Sequence, residues 1–417
     1  MFVAHSSYAL KFLSIEELKD KDYAVIGDGD YVVKLLELVK GTHGTMPSVI
    51  YTRRDNPRLE GCRLEPESNI AQSDIELFVL GTNLFQLEII DRVSKWIPTQ
   101  AEFVDVLIGR GDIHTQFHYR QPVPQSKRYV LFYAINPIEN IDHYLRYFFT
   151  WLQNHQMDVV IRHPLQRVET HVIENAEGVI IWNGTMSIYD SVKTRLMSLD
   201  IPFTFVECGF FPQHEFFYFD RKGINTDSQL SEDDLEWISD DHLLTLHEKR
   251  ETFRASITSM NKPPLTVSLP EDYIFVPLQV PTDTNIVNNS RFSRGMQEFI
   301  DYIEALYPNE NIVFKAHPKD THASTYQYQH GHVSSQHTLL LIEGAKLVHG
   351  INSSVLFEAA LLGKEVKCEG HCLLSVHNDK PDKLLAAMIY RQFHTSDTAF
   401  SREKLERFSY LGYSCFG

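Results

Sequence analysis

Lys315-Ala316-His317-Pro318 ends the apolar run Ile312-Val313-Phe314 in a cation, an imidazole and a proline. In open α/β sheets, ligands bind beyond the carboxyl ends of the strands, where His317 would stand. Pro318 stops the strand and fixes the turn after it. An imidazole in that place donates a hydrogen bond to a phosphate oxygen without carrying a full charge. Taken alone, one of 20 histidines is an ordinary loop residue. A second cluster changes that reading. His349-Gly350-Ile351-Asn352-Ser353-Ser354 precedes a helical stripe of Val355, Ala359 and Leu362, with Gly363 at the C-cap. Asn352 and Ser353 are good N-cap residues. The helix start offers free N–H groups and a positive dipole end to an anion. The two clusters together describe a phosphate pocket.

The elements that must position these residues follow an alternating β and α pattern, the mark of parallel α/β architecture. Tyr23–Ile26 reads as a buried strand running through Gly27-Asp28-Gly29 into a helix over Tyr31–Lys40. Ser48–Tyr51 and Glu76–Leu80 continue that sheet. After the proline-bearing stretch Gln121–Ser126 come strands at Tyr129–Ile135, Asp158–Ile161, Gly178–Trp182 and Phe203–Val206. Between them lie a long helix traced by Ile138, Ile141, Leu145, Phe148 and Leu152, and another over Ser187–Leu199. Asp220–Asp241 is acidic and reads as a long loop over a cleft. Asn261-Lys262-Pro263-Pro264 reads as the main linker. Strands follow at Tyr273–Leu278, Ile312–Ala316, Thr338–Ile342 and Glu365–Cys368, with helices over Ser293–Leu306, Ser354–Leu362, Pro381–Tyr390 and Arg402–Tyr410. The expected layout is α/β of GT-B type, with two Rossmann-like domains and an interdomain cleft. Residues 1–262 form the N-terminal, acceptor-side domain, with a subdomain joint near 121–128. Residues 263–395 form the nucleotide-binding domain, and 396–417 a helix returning across both.

Composition bounds the function. A chain of 417 residues with 43% hydrophobic and 23% charged residues folds into two or three packed domains. A formal charge of −16 argues against nucleic acid as a partner. Five scattered cysteines suit a reduced compartment better than a disulfide framework. Met1–Leu18 lacks a signal-peptide core, and no apolar run reaches membrane-spanning length. The expected location is cytoplasmic, with any inner-membrane contact peripheral. Asp28-Gly29-Asp30 spells Asp-x-Asp, but in a first Rossmann turn it reads as turn chemistry, and no metal or other cofactor is expected.

Lys-x-His-Pro, the Ser-Ser helix start and the run Phe357–Val366 together resemble the bacterial capsule-polysaccharide synthesis family. Two more stretches resemble its signatures: Glu207-Cys208-Gly209-Phe210 its Glu-x-Gly-Phe, and Gln279-Val280-Pro281-Thr282-Asp283 its Gln-x-x-x-Asp. The resemblance spans roughly Glu207 to Val366. It implies a retaining β-Kdo glycosyltransferase of capsule or lipopolysaccharide assembly, with CMP-Kdo as donor and a saccharide or glycolipid as acceptor. Other glycan-assembly enzymes are expected neighbours. The arrangement also resembles the CMP-sialic-acid transferases, in which such motifs surround CMP.

The resemblance assigns roles. His317, Ser353 and Ser354 hold the CMP phosphate, with Lys315, Pro318, Asn352, Gln279 and Asp283 around the donor, and Glu358 at the ribose unless it is a solvated helix residue. Retention implies double displacement through a glycosyl-enzyme intermediate. Asp227 is the expected nucleophile and Asp220 the runner-up, whereas Asp233 and Asp234 read as a solvated acidic run. Glu207 is either a general base for the acceptor hydroxyl or a structural carboxylate holding the Gly209 turn. Cys208 departs from the acidic residue frequent at that position. Arg221, Lys222, Arg291, Arg294, Lys315 and Lys319 are candidate cations for the sugar carboxylate. The alternatives are a transferase using CMP-sialic acid or a UDP-sugar, and a non-catalytic glycan- or nucleotide-binding module.

Overall fold

The computed structural model describes residues 10–411 apart from 55, 60, 83–84, 99, 107–118, 126–127, 136–140, 260–268 and 293, and apart from the side chains of 284 and 285. The expected linker Asn261–Pro264, the helix start at Ser293, and parts of the readings at Gln121–Ser126, Ile138 and Met1–Leu18 lie outside the described residues. The chain divides into two compact units, Met1–Thr204 with Tyr410–Gly417, and Phe205–Ser409.

The first unit holds a six-stranded parallel sheet in the order Leu10–Phe12, Glu102–Asp105, Leu77–Leu80, Ala24–Ile26, Val49–Thr52, Leu64–Pro66. Counted from Ala24–Ile26 this is the Rossmann order 3-2-1-4-5, with Leu10–Phe12 added at the edge. Ala24, Val25 and Ile26 are buried on both faces, as an unbroken apolar strand must be. Gly27 leaves that strand at a φ of 143°, and a Cβ on Gly81 would lie 2.6 Å from the Ile26 carbonyl oxygen. Asp28 accepts hydrogen bonds from the Arg53 and Arg54 amides, the local turn role read for it. The same unit carries parallel strands at Arg128–Tyr133, Met157–Arg162 and Gly178–Trp182, with the first of these in the middle.

The second unit contains antiparallel strands Thr204–Cys208 (from Phe205 onward), Phe216–Asp220 and Gln392–His394. It also contains a five-stranded parallel sheet in the order His332–Val333, Ile312–Lys315, Ile274–Pro277, Leu347–Gly350, Glu365–Cys368. That order is again 3-2-1-4-5. Its switch point lies between Ile274–Pro277 and Leu347–Gly350.

Two local readings change. Thr338–Ile342 is not a strand but the start of helix Thr338–Gly344, capped by His337, whose Nδ1 accepts the Leu339 amide. A run of four apolar residues does not separate strand from helix. The strand is Leu347–Gly350. The acidic stretch is loop and short turns, as expected, from the end of strand Phe216–Asp220 to the start of a 20-residue helix, Asp240–Ser259, that was not expected. That helix buries only Leu246, Phe253 and Ile257 among many charges, so its period is faint. It carries Arg250, which donates to the Leu361 carbonyl at 2.9 Å and pairs with Asp382, so this helix packs on helices Ser354–Leu361 and Pro381–Arg391, and residues 205–259 belong to the same unit as the C-terminal sheet. The last helix, Arg402–Phe408, lies in the second unit, held by Arg221 donating to the Glu406 and Ser409 carbonyls. No described helix is long and apolar enough to cross a membrane.

Candidate functional site

The ends of the three central strands of the five-stranded sheet carry the motif residues. Ile274–Pro277 leads to Gln279, Ile312–Lys315 to His317, and Leu347–Gly350 to Asn352. Parallel pairing sets Pro277 opposite Lys315, so all three turns emerge at one edge. Across the switch point, the buried Gln279 holds the Asn352 turn by two hydrogen bonds. Its Nε2 donates to Asn352 Oδ1 at 3.1 Å, and its Oε1 accepts the Asn352 amide at 3.2 Å. An amide side chain can do both at once, and no carboxylate can.

Ser353 caps helix Ser354–Leu361, its Oγ accepting the Val355 amide at 3.2 Å. Ser354 is exposed at the first turn. Glu358 stands four residues on, on the same helix face. Burial raises its carboxyl from 4.5 to about 7, and among the described residues nothing pairs with it. It is therefore not the solvated helix residue of the simpler reading.

His317 is half-buried. Burial first, then the Lys319 cation, lower its pKa below the ordinary imidazole value, against Asp283 and Asp320, which raise it. Its Nδ1 accepts the Lys319 amide at 3.1 Å, which leaves the proton on Nε2 as a neutral donor. Lys315, its ammonium depressed by burial, donates to the Gln336 carbonyl. Pro318 is exposed beyond them. Asp320 was missed in the sequence. It is buried, its amide bonds to the His317 carbonyl at 2.9 Å, and its carboxylate accepts the His322 amide and the Tyr326 hydroxyl. The signal was present as an acid two residues beyond His-Pro, in the position of a turn-forming side chain.

The Glu207 signature joins this region through packing. Gly209 is required, since a Cβ there would lie 2.6 Å from Phe216 Cβ and 2.7 Å from Gln392 Oε1. The turn delivers Phe210 onto Phe357 of the capped helix, ring centroids 5.2 Å apart. Glu207 Oε1 accepts the Cys208 amide at 2.9 Å and the Cys208 thiol at 2.7 Å, a geometry that fits the turn-holding role. Burial, then the Glu207 charge, push the Cys208 thiol well up, so it stays protonated.

The two nucleophile candidates separate cleanly. Asp220 is fully buried and faces Arg391, also fully buried, at 3.3 Å. It accepts the Lys222, Gly223 and Gln229 amides as well. This carboxylate frames the 221–229 loop and has no room for a sugar, which corrects its reading as a reserve nucleophile. Asp227 is exposed on the turn Asn225–Asp227 that Asp220 frames. No described contact ties it to His317 or Asn352. Among the cations, Arg221 is spent on backbone carbonyls, which corrects its reading as a carboxylate binder. Lys222 pairs with Glu232 and Arg294 with Glu298. Lys319, exposed and close enough to His317 to depress it, has no partner among the described residues.

Residues 245–378 match the family model described as capsule polysaccharide biosynthesis protein, so the resemblance drawn from the motifs holds over that segment. Protein FixF of Sinorhizobium fredii (strain NBRC 101917 / NGR234) is 32% identical over 111 residues, 24% of this chain. The match spans only 27% of the length of that curated relative. Among solved structures, the chain is similar to the β-Kdo 2,4 transferase of Thermosulfurimonas dismutans KpsC, with a TM-score of 0.50 and 16% identity over 63% of this chain and 91% of that one. The β-Kdo 2,7 transferase of the same protein gives 0.45 and 19% over 64% and 92%. The first of these likenesses bears on the fold alone, and it agrees with the mixed α/β, Rossmann-like architecture expected from the sequence.

Proposed function

We propose that the chain is a glycosyltransferase that takes Kdo from CMP-Kdo, with retention, and passes it to a saccharide or glycolipid acceptor in capsule-type glycan assembly. The observation that carries the reading is that Gln279, His317 and the Asn352-Ser353-Ser354 helix start follow three adjacent parallel strands and leave the sheet at the same edge. There a neutral imidazole donor, a helix N-terminus and an unpaired lysine offer an anion three kinds of attraction at once. CMP leaves as an anion already stabilised by such donors, so the step needs neither a metal nor strong acid assistance. His317, Ser353 and Ser354 hold the phosphate, Glu358 the ribose, and Lys319 the Kdo carboxylate. Asp227 attacks the anomeric carbon from its exposed turn as CMP departs. The acceptor hydroxyl then displaces the carboxylate and passes its proton to it as the bond to Asp227 breaks, giving net retention. Glu207 orders the Gly209 turn. Work at the inner-membrane surface with other glycan-assembly enzymes fits a glycolipid acceptor.

The test is CMP release from CMP-Kdo in the presence of Kdo-bearing acceptors, with the product anomer read by NMR. Acceptor-dependent CMP release with a β-linked product supports the proposal. An α-linked product ends the retaining mechanism, and no turnover with CMP-Kdo ends the donor assignment.

A further inference from the structure

The segment after strand Glu365–Cys368 closes the other side of the Asn352 turn. The Glu369 amide donates to the Gly350 carbonyl and the Gly370 amide to Ile351, each at 2.9 Å, which extends the ladder to the residue before Asn352. The His371 amide then reaches the Asn289 carbonyl at 2.8 Å. Gly370 fits because it has no side chain. A Cβ there would lie 2.8 Å from Ile351 Cγ2, 2.9 Å from the Asn289 oxygen and 3.0 Å from Asn352 Nδ2. Gln279 and Gly370 therefore hold Asn352 from its two sides.

What fixes this segment is the Glu369 carboxylate, whose side chain is 19% exposed. Oε1 accepts from Tyr302 at 2.9 Å and from His349 Nε2 at 3.0 Å, and Oε2 accepts from Arg291 at 2.7 Å. His349 is fully buried one strand over, and its Nδ1 receives the Tyr307 hydroxyl at 3.0 Å. Lys367 donates to Tyr307 in turn at 3.4 Å. The bonds run in one direction, Lys367 to Tyr307 to His349 to Glu369, so the imidazole is neutral with its proton on Nε2. Burial holds His349 below the ordinary imidazole value, consistent with that state. Arg291, one of the cations expected to meet the sugar carboxylate, instead stacks on Tyr302 with its guanidinium carbon 4.5 Å from the ring centre.

We infer that Glu369 is a positioning residue for donor binding: anchored by Tyr302, His349 and Arg291, it sets the place of Gly370 and so of the Asn352-Ser353-Ser354 turn. The inference rests on the donor-pocket reading and deepens it. Loss of the carboxylate lets the turn relax, so donor affinity falls while the chemical step, which Glu369 does not touch, is left alone.

The experiment measures CMP affinity by calorimetry, and donor KM and kcat, for wild type, Glu369→Ala, Glu369→Gln and the control Glu304→Gln. Glutamine keeps the Oε1 acceptor for His349 and Tyr302 and turns an NH2 toward Arg291, so it isolates that arm should the alanine variant fold poorly. Glu304 is a buried carboxylate of the same unit that accepts the Gln329, His330 and Gly331 amides and, among the described residues, bonds no pocket residue, so it matches general destabilisation. Glu369→Ala is expected to weaken CMP binding by about tenfold or more, the worth of one hydrogen bond to a charged group. Donor KM rises in step with kcat within about twofold, and Glu369→Gln falls between. CMP affinity unchanged in both Glu369 variants, or lowered no more than in Glu304→Gln, overturns the role. No CMP binding by wild type removes the pocket reading itself, a result distinct from a wild type that binds and variants that bind equally.

Discussion

Gln279 and Asn352 exchange two hydrogen bonds, 3.1 and 3.2 Å, across the switch point of the five-stranded sheet. The pair joins the end of the first strand to the start of the helix after the fourth, the two elements between which Rossmann sheets open toward a ligand. The contact therefore fixes the spacing between that strand end and that helix start.

Replacing Gln279 by alanine removes both bonds and leaves the half-buried Asn352 amide without its acceptor. A cost of about 1–3 kcal/mol is expected for that group, read as CMP affinity lowered by about tenfold or more in calorimetry. Gln279→Glu should fare no better, since a carboxylate cannot donate to Asn352 Oδ1. Wild-type affinity in either variant would separate Gln279 from the pocket.

Glu358 gives a pH signature. Its folded-state carboxyl titrates near 7 against 4.5 in an ordinary setting, because burial disfavours the charge. Between those values the folded chain holds the proton more tightly than the unfolded one, so stability falls as pH rises through that window. Glu358→Gln abolishes the fall. Its melting temperature should exceed wild type at pH 8 and match it at pH 4.5, and an equal offset at both would contradict the assignment.

The two aspartates of the 220–229 loop should fail in different ways. Asp220→Ala strands the buried Arg391 guanidinium and is expected to cost about 3–5 kcal/mol of stability. Asp227→Ala alters an exposed side chain, so stability should stay within about 0.5 kcal/mol and CMP should still bind while transfer is lost. Full transfer by Asp227→Ala would end its role as nucleophile.

On the proposed mechanism transfer should persist in excess EDTA, because His317 and the helix start, rather than a cation bridge, would assist the departure of CMP. Loss of activity on chelation, restored by a divalent ion, would contradict that.

The parallel sheets were legible because their strands are short apolar runs between turn residues, and Gly178–Trp182 and Glu365–Cys368 fall where the pattern placed them. The Ser353 cap and the Gly363 exit, at a φ of 76°, were legible for the same local reasons. Thr338–Gly344 and Asp240–Ser259 were not. The first is too short for its period to show, and the second owes its helix to packing on Pro381–Arg391 and to the bonds of its Arg250 with Leu361 and Asp382, all distant in sequence. The same limit hid the division of labour between Asp220 and Asp227. Both are acids in one loop, and only the arrival of Arg391 from far along the chain decides which one is buried. Glu369 was invisible too, its three donors coming from three separate elements.

The most direct test is the structure of the protein crystallised with CMP. The phosphate is predicted within hydrogen-bond distance of His317 Nε2 and the Ser353 and Ser354 groups at the helix start, with the ribose against Glu358. CMP bound away from the Gln279–Asn352 switch point, or absent at saturating concentration, would contradict the account.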